Sequence, residues 1–277
     1  MPKPHNTWKG SQYEVTVPTV ADRIAQTVVA ARLEANVEPM FHPDSYGYRP
    51  RRSALDAVAV TRQRCWSKDW VLDLDIRAFF DSVDHDLLIK AVQAHTDDVW
   101  VVLYVRRWLT APMVHPDGSV QDRDRGTPQG SAVSPVLANL FLHYAFDAWM
   151  AREFPAVTFE RYVDDVVVHA ATYGHAERLR SAIAARMVEV GLQLHPDKTR
   201  IVYCKDDNRR GTHVHTSFHV PRVTPSAPAR PAARTGGCSP RSCLRSPRRR
   251  WWRWAVRSAG GVSTCASVPT WLTSPDG

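Results

Sequence analysis

The stretch that most constrains this chain is residues 159–169, in which two adjacent carboxylates lie between apolar, largely β-branched residues. Such a run predicts two short strands joined by a tight turn, with Asp164 and Asp165 at its tip. Because side chains alternate along a strand, Val166 and Val168 would be buried while the turn faces solvent. Aspartate is common in turns, so this segment alone would indicate no more than a solvated surface.

A second acidic strand upstream changes that interpretation. In residues 70–76 apolar residues alternate with Asp73 and Asp75, which therefore share one face of a buried strand. Carboxylates at the end of such a strand are costly unless positive charge compensates them. Oxygen-bound divalent cations are a natural compensation, and two such ions about 3.5 to 4 Å apart assist in-line attack on a phosphate. If the sheet sets Asp75 beside Asp164, the sequence predicts a pocket for two Mg²⁺ ions.

Several motifs occur in the order that one known family shows. Tyr-Val-Asp-Asp at 162–165 looks like the YxDD box of reverse transcriptases, and residues 75–85 are similar to the catalytic-aspartate block that precedes it. Residues 126–140 resemble the TPQG…SPLLAN block of group II intron reverse transcriptase/maturases. The shorter family motifs lie at residues 24–26, 45–50 and 191–199. One box alone is weak, but the ordered set over residues 18–218 is a specific match to the bacterial group II intron-encoded proteins.

The resemblance implies both a fold and an activity. The fold would be α/β (α+β): the fingers and palm of a right-hand polymerase, the palm an antiparallel sheet backed by helices, with the thumb absent. The activity would be RNA-directed DNA synthesis, in which a primer 3′-oxygen attacks the α-phosphate of a dNTP with the help of two Mg²⁺ ions. The implied partners are an RNA template, a DNA primer and the group II intron RNA.

The resemblance also assigns roles to individual residues. Asp75 and Asp164 would bind the metal ions, Asp165 would complete the catalytic site, and the backbone carbonyl of Ile76 would be an extra ligand.

The nucleotide site is assigned in the same way. Phe80 would lie under the sugar and exclude a ribose 2′-hydroxyl, whereas Phe79 is expected in the core. Gln129 would lie beside the nucleotide and the template base, and Lys198 would protonate the departing pyrophosphate. Arg49, in an arginine-rich loop before a helix, would contact phosphate or template.

Hydrophobic spacing predicts the helices that surround these motifs. Thr19 is expected to cap a helix over 21–36 whose buried face carries Ile24, Val28, Val29 and Leu33. The further helices are predicted at residues 54–65, 86–94, 97–109, 134–154 and 176–191.

The two ends of the chain differ from this central part. Residues 1–17 are expected to be a degraded N-terminal fingers segment, because Tyr13 occupies the place where the family has an arginine that holds the triphosphate. The net charge of +8 arises beyond residue 221, where ten Arg stand against one acidic residue. Residues 1–221 carry 26 basic and 27 acidic groups, a balance of −1, so charge gives no argument for nucleic-acid binding by the central part.

Residues 219–277 are predicted to be a disordered tail rich in Arg, Pro and Trp. From residue 222 onward the chain contains no Lys, Glu, Ile, Phe, Tyr, Asn, Gln, His or Met, most of which have AT-rich codons. This bias favours a GC-rich gene translated out of frame. The rival interpretation is an RNA-binding arm at residues 248–254, since Arg and Trp together stack on bases and neutralise phosphate.

Other functions stay open on the sequence alone. They are a non-catalytic RNA-binding remnant of a maturase and a retron-type or CRISPR-associated reverse transcriptase. The five irregularly spaced cysteines indicate a reduced, cytoplasmic protein, and the sequence has no apolar run long enough for a membrane span.

Overall fold

The structure is a computed structural model that describes residues 18–114, 119–128, 130–205, 213, 215–216 and 218. Gln129, the N-terminal segment 1–17 and the tail 219–277 lie outside the described residues. The expectations for those parts therefore stay predictions.

The described residues form eight α-helices. They are α1 (Val20–Val37), α2 (Ala54–Cys65), α3 (Phe79–Ser82), α4 (His85–Gln93), α5 (Val99–Thr110), α6 (Ser134–Leu142), α7 (Ala148–Glu153) and α8 (Tyr173–Glu189). A 3₁₀ turn (Glu38–Met40) follows α1. The predicted cap is confirmed, because the Thr19 hydroxyl accepts a hydrogen bond of 3.2 Å from the Asp22 amide.

The strands are β1 (Trp70–Asp75), β2 (Met113–Val114), β3 (Val120–Gln121), β4 (Phe159–Tyr162), β5 (Asp165–Ala170) and β6 (Arg200–Tyr203). β2 and β3 form a two-stranded ribbon, and the other four form an antiparallel sheet in the order β4-β5-β1-β6. Helices around an antiparallel sheet confirm the predicted α+β class.

Apolar side chains cover both faces of this sheet. Leu72 and Leu74 of β1 join the main core with α4, α5, α6 and α8, whereas Val71 joins a smaller cluster with Cys65 of α2. β5 is buried on both faces too, since Val166 and Val168 contact the main core and Val167 the smaller cluster. The predicted burial of Val166 and Val168 is confirmed, and the second buried face explains why the run is continuously apolar.

The structure corrects two details of the sequence prediction. In α1, Val29 and Leu33 are buried, but Ile24 and Val28 are 63% and 55% exposed, so the predicted core face was drawn too wide. In the hairpin, Asp165 already belongs to β5, and the turn between the strands consists of Val163 and Asp164.

The helix predicted over 134–154 is one continuous helical segment with a change of winding. A π-helical turn (His143–Asp147) joins α6 to α7. Such turns occur frequently at functional sites. Here the π turn ends at Asp147, whose side chain is fully buried.

No helix in the described ranges has the length and apolar character that crossing a bilayer requires.

Two partly buried histidines make the fold sensitive to acid. Burial lowers the pKa of His143 below its ordinary value of 6.5, against the opposing charge of Asp147, and burial likewise lowers the pKa of His42. The unfolded chain therefore takes up protons at a higher pH than the folded chain does. The stability contributed by the neutral imidazoles is present above about pH 6.5 and is lost as the pH falls below it.

We expect the urea midpoint of unfolding to decrease between about pH 7.5 and pH 5.5. In the His143→Gln variant, which replaces the imidazole with a neutral amide, the decrease should be shallower. The comparison is made by urea titration at several pH values, with the two proteins first compared near pH 8, where both side chains are neutral. An identical pH slope in the variant would contradict this assignment.

Candidate active site

The acidic residues of the predicted site lie at one edge of the sheet. Asp75 ends β1 and Asp165 begins β5, and the two are Cα partners in the antiparallel pair. Such partners project from the same face with Cβ atoms about 4.5 to 5.5 Å apart. Asp164 directly precedes Asp165 in the turn, so the chain brings all three aspartates to the same end of the sheet.

A lysine compensates part of this negative charge. Lys198 Nζ lies 3.2 Å from Asp75 Oδ2, and the side chains are 55% and 26% exposed. At that exposure solvent screens the pair, and a contribution of at most about 1 kcal/mol to stability is expected. The ion pair places Lys198 beside the carboxylates, and its role at the pyrophosphate stays a prediction.

The segment that carries Lys198 is fastened to the end of β1. The amide of His195 donates to the Asp75 carbonyl, and the amide of Arg77 donates to the Gln193 carbonyl, both at 2.8 Å. These two bonds flank an antiparallel bridge between Ile76 and Leu194. Neither bond of this bridge uses the Ile76 carbonyl, the predicted extra metal ligand.

The donor atoms at this edge suit a hard cation. Carboxylate oxygens are the ligands that Mg²⁺ and Ca²⁺ prefer. Among the described residues no group of three or more His, Cys, Asp or Glu side chains is arranged to enclose a metal ion. The chemistry of the carboxylate oxygens by itself fits a hard divalent cation.

Burial also affects the pKa of the tyrosine in the Tyr-Val-Asp-Asp motif. The pKa of Tyr162 is raised, mainly by burial and further by the charge of Asp165. The phenol therefore stays protonated beside the carboxylates at neutral pH.

Phe80 lies close to the start of the 126–140 motif. Phe79 is buried in the core as predicted, while Phe80 is partly buried and contacts it edge to face with 5.2 Å between ring centroids. The Thr127 amide donates to the Phe80 carbonyl at 2.6 Å. Gly126 has φ +83°, and a Cβ there would lie 2.8 Å from that carbonyl, so only glycine allows the approach.

The loop on either side of Gln129 is anchored, although Gln129 itself is outside the described residues. The Ser134 hydroxyl donates to the Pro128 carbonyl at 2.7 Å. The Ala132 amide donates at 3.1 Å to the side-chain oxygen of Gln26, which is buried in α1.

Arg49 is placed differently from the other predicted nucleotide contacts. Its side chain is only 5% exposed. The guanidinium donates to the carboxylate of Glu38 and to the carbonyl oxygens of His42 and Ser45. A guanidinium used in this way fixes the loop over 42–49, which favours a structural role over a phosphate contact.

The turn between β4 and β5 has an unusual backbone. Val163 has φ 61°, in the left-handed region that β-branched residues rarely adopt, and its side chain is buried. Gly47 packs directly against it: a Cβ on Gly47 would lie 2.5 Å from Val163 Cγ2 and 2.6 Å from the Val163 amide nitrogen. The loop before α2 therefore covers the turn at close range.

A buried polar cluster holds this turn. Arg161 and Asp147, both with fully buried side chains, form a bidentate ion pair of 2.7 and 2.6 Å. Arg161 also donates at 3.1 Å to the Val163 carbonyl and to Asn139 Oδ1, and Asn139 Nδ2 donates at 2.7 Å to the Gly47 carbonyl. We call Gly47, Asn139, Asp147 and Arg161 the turn clamp.

Comparison with known proteins identifies the family. Residues 1–234 match the family described as "Reverse transcriptase (RNA-dependent DNA polymerase)". This chain is a member of the reverse transcriptase family. The resemblance inferred from the motifs is thereby confirmed.

Curated relatives of this reverse transcriptase include intron-encoded proteins. It is 28% identical to Protein YkfC of Escherichia coli (strain K12), over 69% of this chain and 59% of that protein. It is 32% identical to the group II intron-encoded protein LtrA of Lactococcus lactis subsp. cremoris, over 46% of this chain and 21% of LtrA. The chain thus spans less than two thirds of these relatives.

One solved structure shows a similar fold. The apo telomerase of Candida tropicalis, truncated from its C-terminal domain, superposes with a TM-score of 0.50 at 12% identity. The superposition covers 65% of this chain and 40% of the telomerase. At that identity the likeness supports the reverse transcriptase fold alone.

Sequence reasoning missed the turn clamp. Gly47 and Asn139 lie inside the family motifs and Arg161 directly precedes the Tyr-Val-Asp-Asp box, but the motifs assign no role to any of them, and no motif contains Asp147. The available signal was a pair of opposite charges at positions expected to be buried: Arg161 in the predicted strand and Asp147 in the mostly apolar predicted helix. Buried charges of that kind are usually paired.

Removing the Arg161 charge should destabilise the reverse transcriptase strongly. Arg161→Met leaves the Asp147 carboxylate buried and unpaired, and we expect a loss of about 3 to 5 kcal/mol in the free energy of unfolding. The matched control is Arg152→Met, since Arg152 pairs with Glu153 on the surface with side chains 71% and 47% exposed. That variant should lose at most about 1 kcal/mol. Equal losses in urea titrations of the two variants would refute the importance of the buried pair.

Proposed function

We propose that this chain is the fingers and palm of a group II intron reverse transcriptase that performs RNA-directed DNA synthesis. The observation that carries the proposal is the pairing of Asp75 with Asp165, with Asp164 in the adjacent turn. It sets the acidic motifs of two distant segments at one edge of the sheet. The similarity to intron-encoded proteins supports an intron as the genetic element that would encode the chain.

Magnesium would be held by this edge. Asp75, Asp164 and Asp165 would supply carboxylate oxygens, and Ile76 its backbone carbonyl. Two bound Mg²⁺ ions would neutralise charge on the phosphates and activate the primer 3′-oxygen. Because Lys198 already lies against Asp75, its ammonium group would shift toward the phosphates when the metal sites fill.

The remaining residues of the chain would orient the substrates. Phe80, which contacts the Gly126–Thr127 backbone, would present its ring to the sugar of the incoming dNTP. Gln129 would lie beside the nucleotide and the template base. Lys198 would hold a proton near the departing pyrophosphate. Arg49 would act in this scheme by fixing the loop over the turn and not by touching phosphate.

The proposed partners follow from this chemistry. An RNA template and a DNA primer would lie across the acidic edge, the end of the sheet that carries Asp75, Asp164 and Asp165, and the intron RNA would be the natural template. The similarity to LtrA, whose name describes a group II intron-encoded protein, supports an intron as the source of that RNA.

Primer extension tests the activity. We expect the full chain to extend oligo(dT) on poly(rA) with Mg²⁺ and dTTP, and Asp164→Asn to lower the rate at least about 100-fold, since metal-assisted charge stabilisation contributes several kcal/mol. Asp97→Asn, which makes the same change in an exposed loop before α5, is the control and should keep the wild-type rate. RNA binding without extension by the wild-type protein would instead support a non-catalytic RNA-binding remnant.

Sugar discrimination tests the role of Phe80. Replacing it with alanine should open the space next to the sugar, so that the preference for dTTP over UTP falls by about tenfold or more. The ratio of single-nucleotide incorporation rates gives the measurement, and the dTTP rate of the variant shows whether the site is intact. An unchanged ratio together with a normal dTTP rate would remove Phe80 from the proposed selectivity.

A further inference from the structure

We infer that the turn clamp is a positioning device: it holds Val163 in a strained backbone conformation and thereby sets where Asp164 lies at the acidic edge. The inference rests on the proposed function for what Asp164 does, but not for the geometry of the turn. None of the four clamp residues is among the proposed metal ligands, so each would act on Asp164 through Val163.

Arg161 is the clamp residue that bonds to the turn, and its ion pair with Asp147 fixes its guanidinium group. Arg161 ends its side chain against the Val163 carbonyl, two residues further along the chain. Asp147, at the end of the π-helical turn, fixes the guanidinium from the other side with both oxygens. A bidentate pair fixes the plane of the guanidinium as well as its distance, so the donor to Val163 has one orientation.

Asn139 ties the covering loop to the same guanidinium. Its side-chain oxygen accepts from Arg161, and its amide group donates to the Gly47 carbonyl. Gly47 in turn lies so close to Val163 that no Cβ fits between them. The loop therefore packs against Val163, and Arg161 donates a hydrogen bond to the carbonyl of the same residue.

The backbone of Val163 gives this arrangement a purpose beyond general stability. A β-branched residue at φ 61° is disfavoured, and such a conformation persists only where the surroundings enforce it. Relaxation of Val163 would rotate the peptide that leads into Asp164. Small displacements of ligand-bearing backbone are enough to spoil a metal site.

A second buried polar cluster supplies a matched control. Thr61 of α2 donates at 3.0 Å to Glu160, which also contacts Arg64 and His169. Glu160 and Arg161 are consecutive residues of β4, so alternation directs their side chains to opposite faces. Thr61→Val removes one buried hydrogen bond with almost no change in volume, and it leaves the turn clamp intact.

The test compares Asn139→Ala and Gly47→Ala with Thr61→Val in the full chain. Three quantities are measured: the thermal midpoint, the affinity for Mn²⁺ alone by electron paramagnetic resonance, and hydrogen exchange of the amides in residues 159–168. Asp164→Asn shows which part of the Mn²⁺ binding belongs to the acidic edge. Temperature is set so that every variant is at least about 10 °C below its own midpoint.

We expect both clamp variants to bind Mn²⁺ at least about tenfold more weakly and to exchange the hairpin amides faster. Thr61→Val should keep the wild-type affinity and hairpin protection. Faster exchange with unchanged affinity would show a structural role only and would overturn the inference, as would clamp variants that behave like Thr61→Val.

The same experiment separates this inference from the proposed function. If the wild-type protein shows no Mn²⁺ binding that depends on Asp164, the proposed metal site fails. The hold of the clamp on the turn is then decided by hydrogen exchange alone: faster exchange of the hairpin amides in both clamp variants supports it, and wild-type exchange overturns it.

Discussion

The antiparallel pairing of β1 with β5 is the constraint on which the rest of the structure depends. It places Leu74 opposite Val166 inside the core and Asp75 opposite Asp165 at the edge of the sheet. A slip of one residue would turn the apolar side chains out of the core and separate the aspartates. Since apolar clusters cover both faces of the sheet, the packing that stabilises the fold also fixes the register of the acidic edge.

The interior supports this edge with polar groups as well as apolar ones. The Arg161–Asp147 pair lies with both side chains fully buried, where desolvation is costly, and it is therefore weak evidence for added stability. Its geometry is more informative than its energy, because Nη1 of Arg161 donates to acceptors on two different elements, Asn139 Oδ1 and the Val163 carbonyl. The strained turn at Val163 is consequently held by buried polar groups in the core of the reverse transcriptase fold.

Two arginines at family motifs have different roles. Arg49 lies inside the motif at 45–50 and Arg161 directly precedes the Tyr-Val-Asp-Asp box, and both turn their guanidinium groups inward. Arg49 joins Glu38 to the loop over 42–49. Gly47 of the same loop packs against Val163 in the turn. The positive charge beside Asp75 is instead the exposed ammonium group of Lys198.

Much of the fold followed from the sequence. Periodicity and caps predicted helices that start within a few residues of those observed, and alternation placed Asp73 and Asp75 on one face of β1. These features depend on neighbours in the chain, which the sequence displays directly. The width of the buried face of α1 did not follow, because exposure of Ile24 and Val28 depends on what packs against the helix.

The sequence by itself determined which carboxylates belong to the acidic motifs, since their residue types and spacing are local features of the chain. Only the tertiary structure decided which partners those motifs have. Asp75 meets Asp165 through strand pairing, and Arg161 meets Asp147 and Asn139 across distances of 14 and 22 residues. Such contacts arise from how elements pack, and no local pattern encodes the partner of a buried charge.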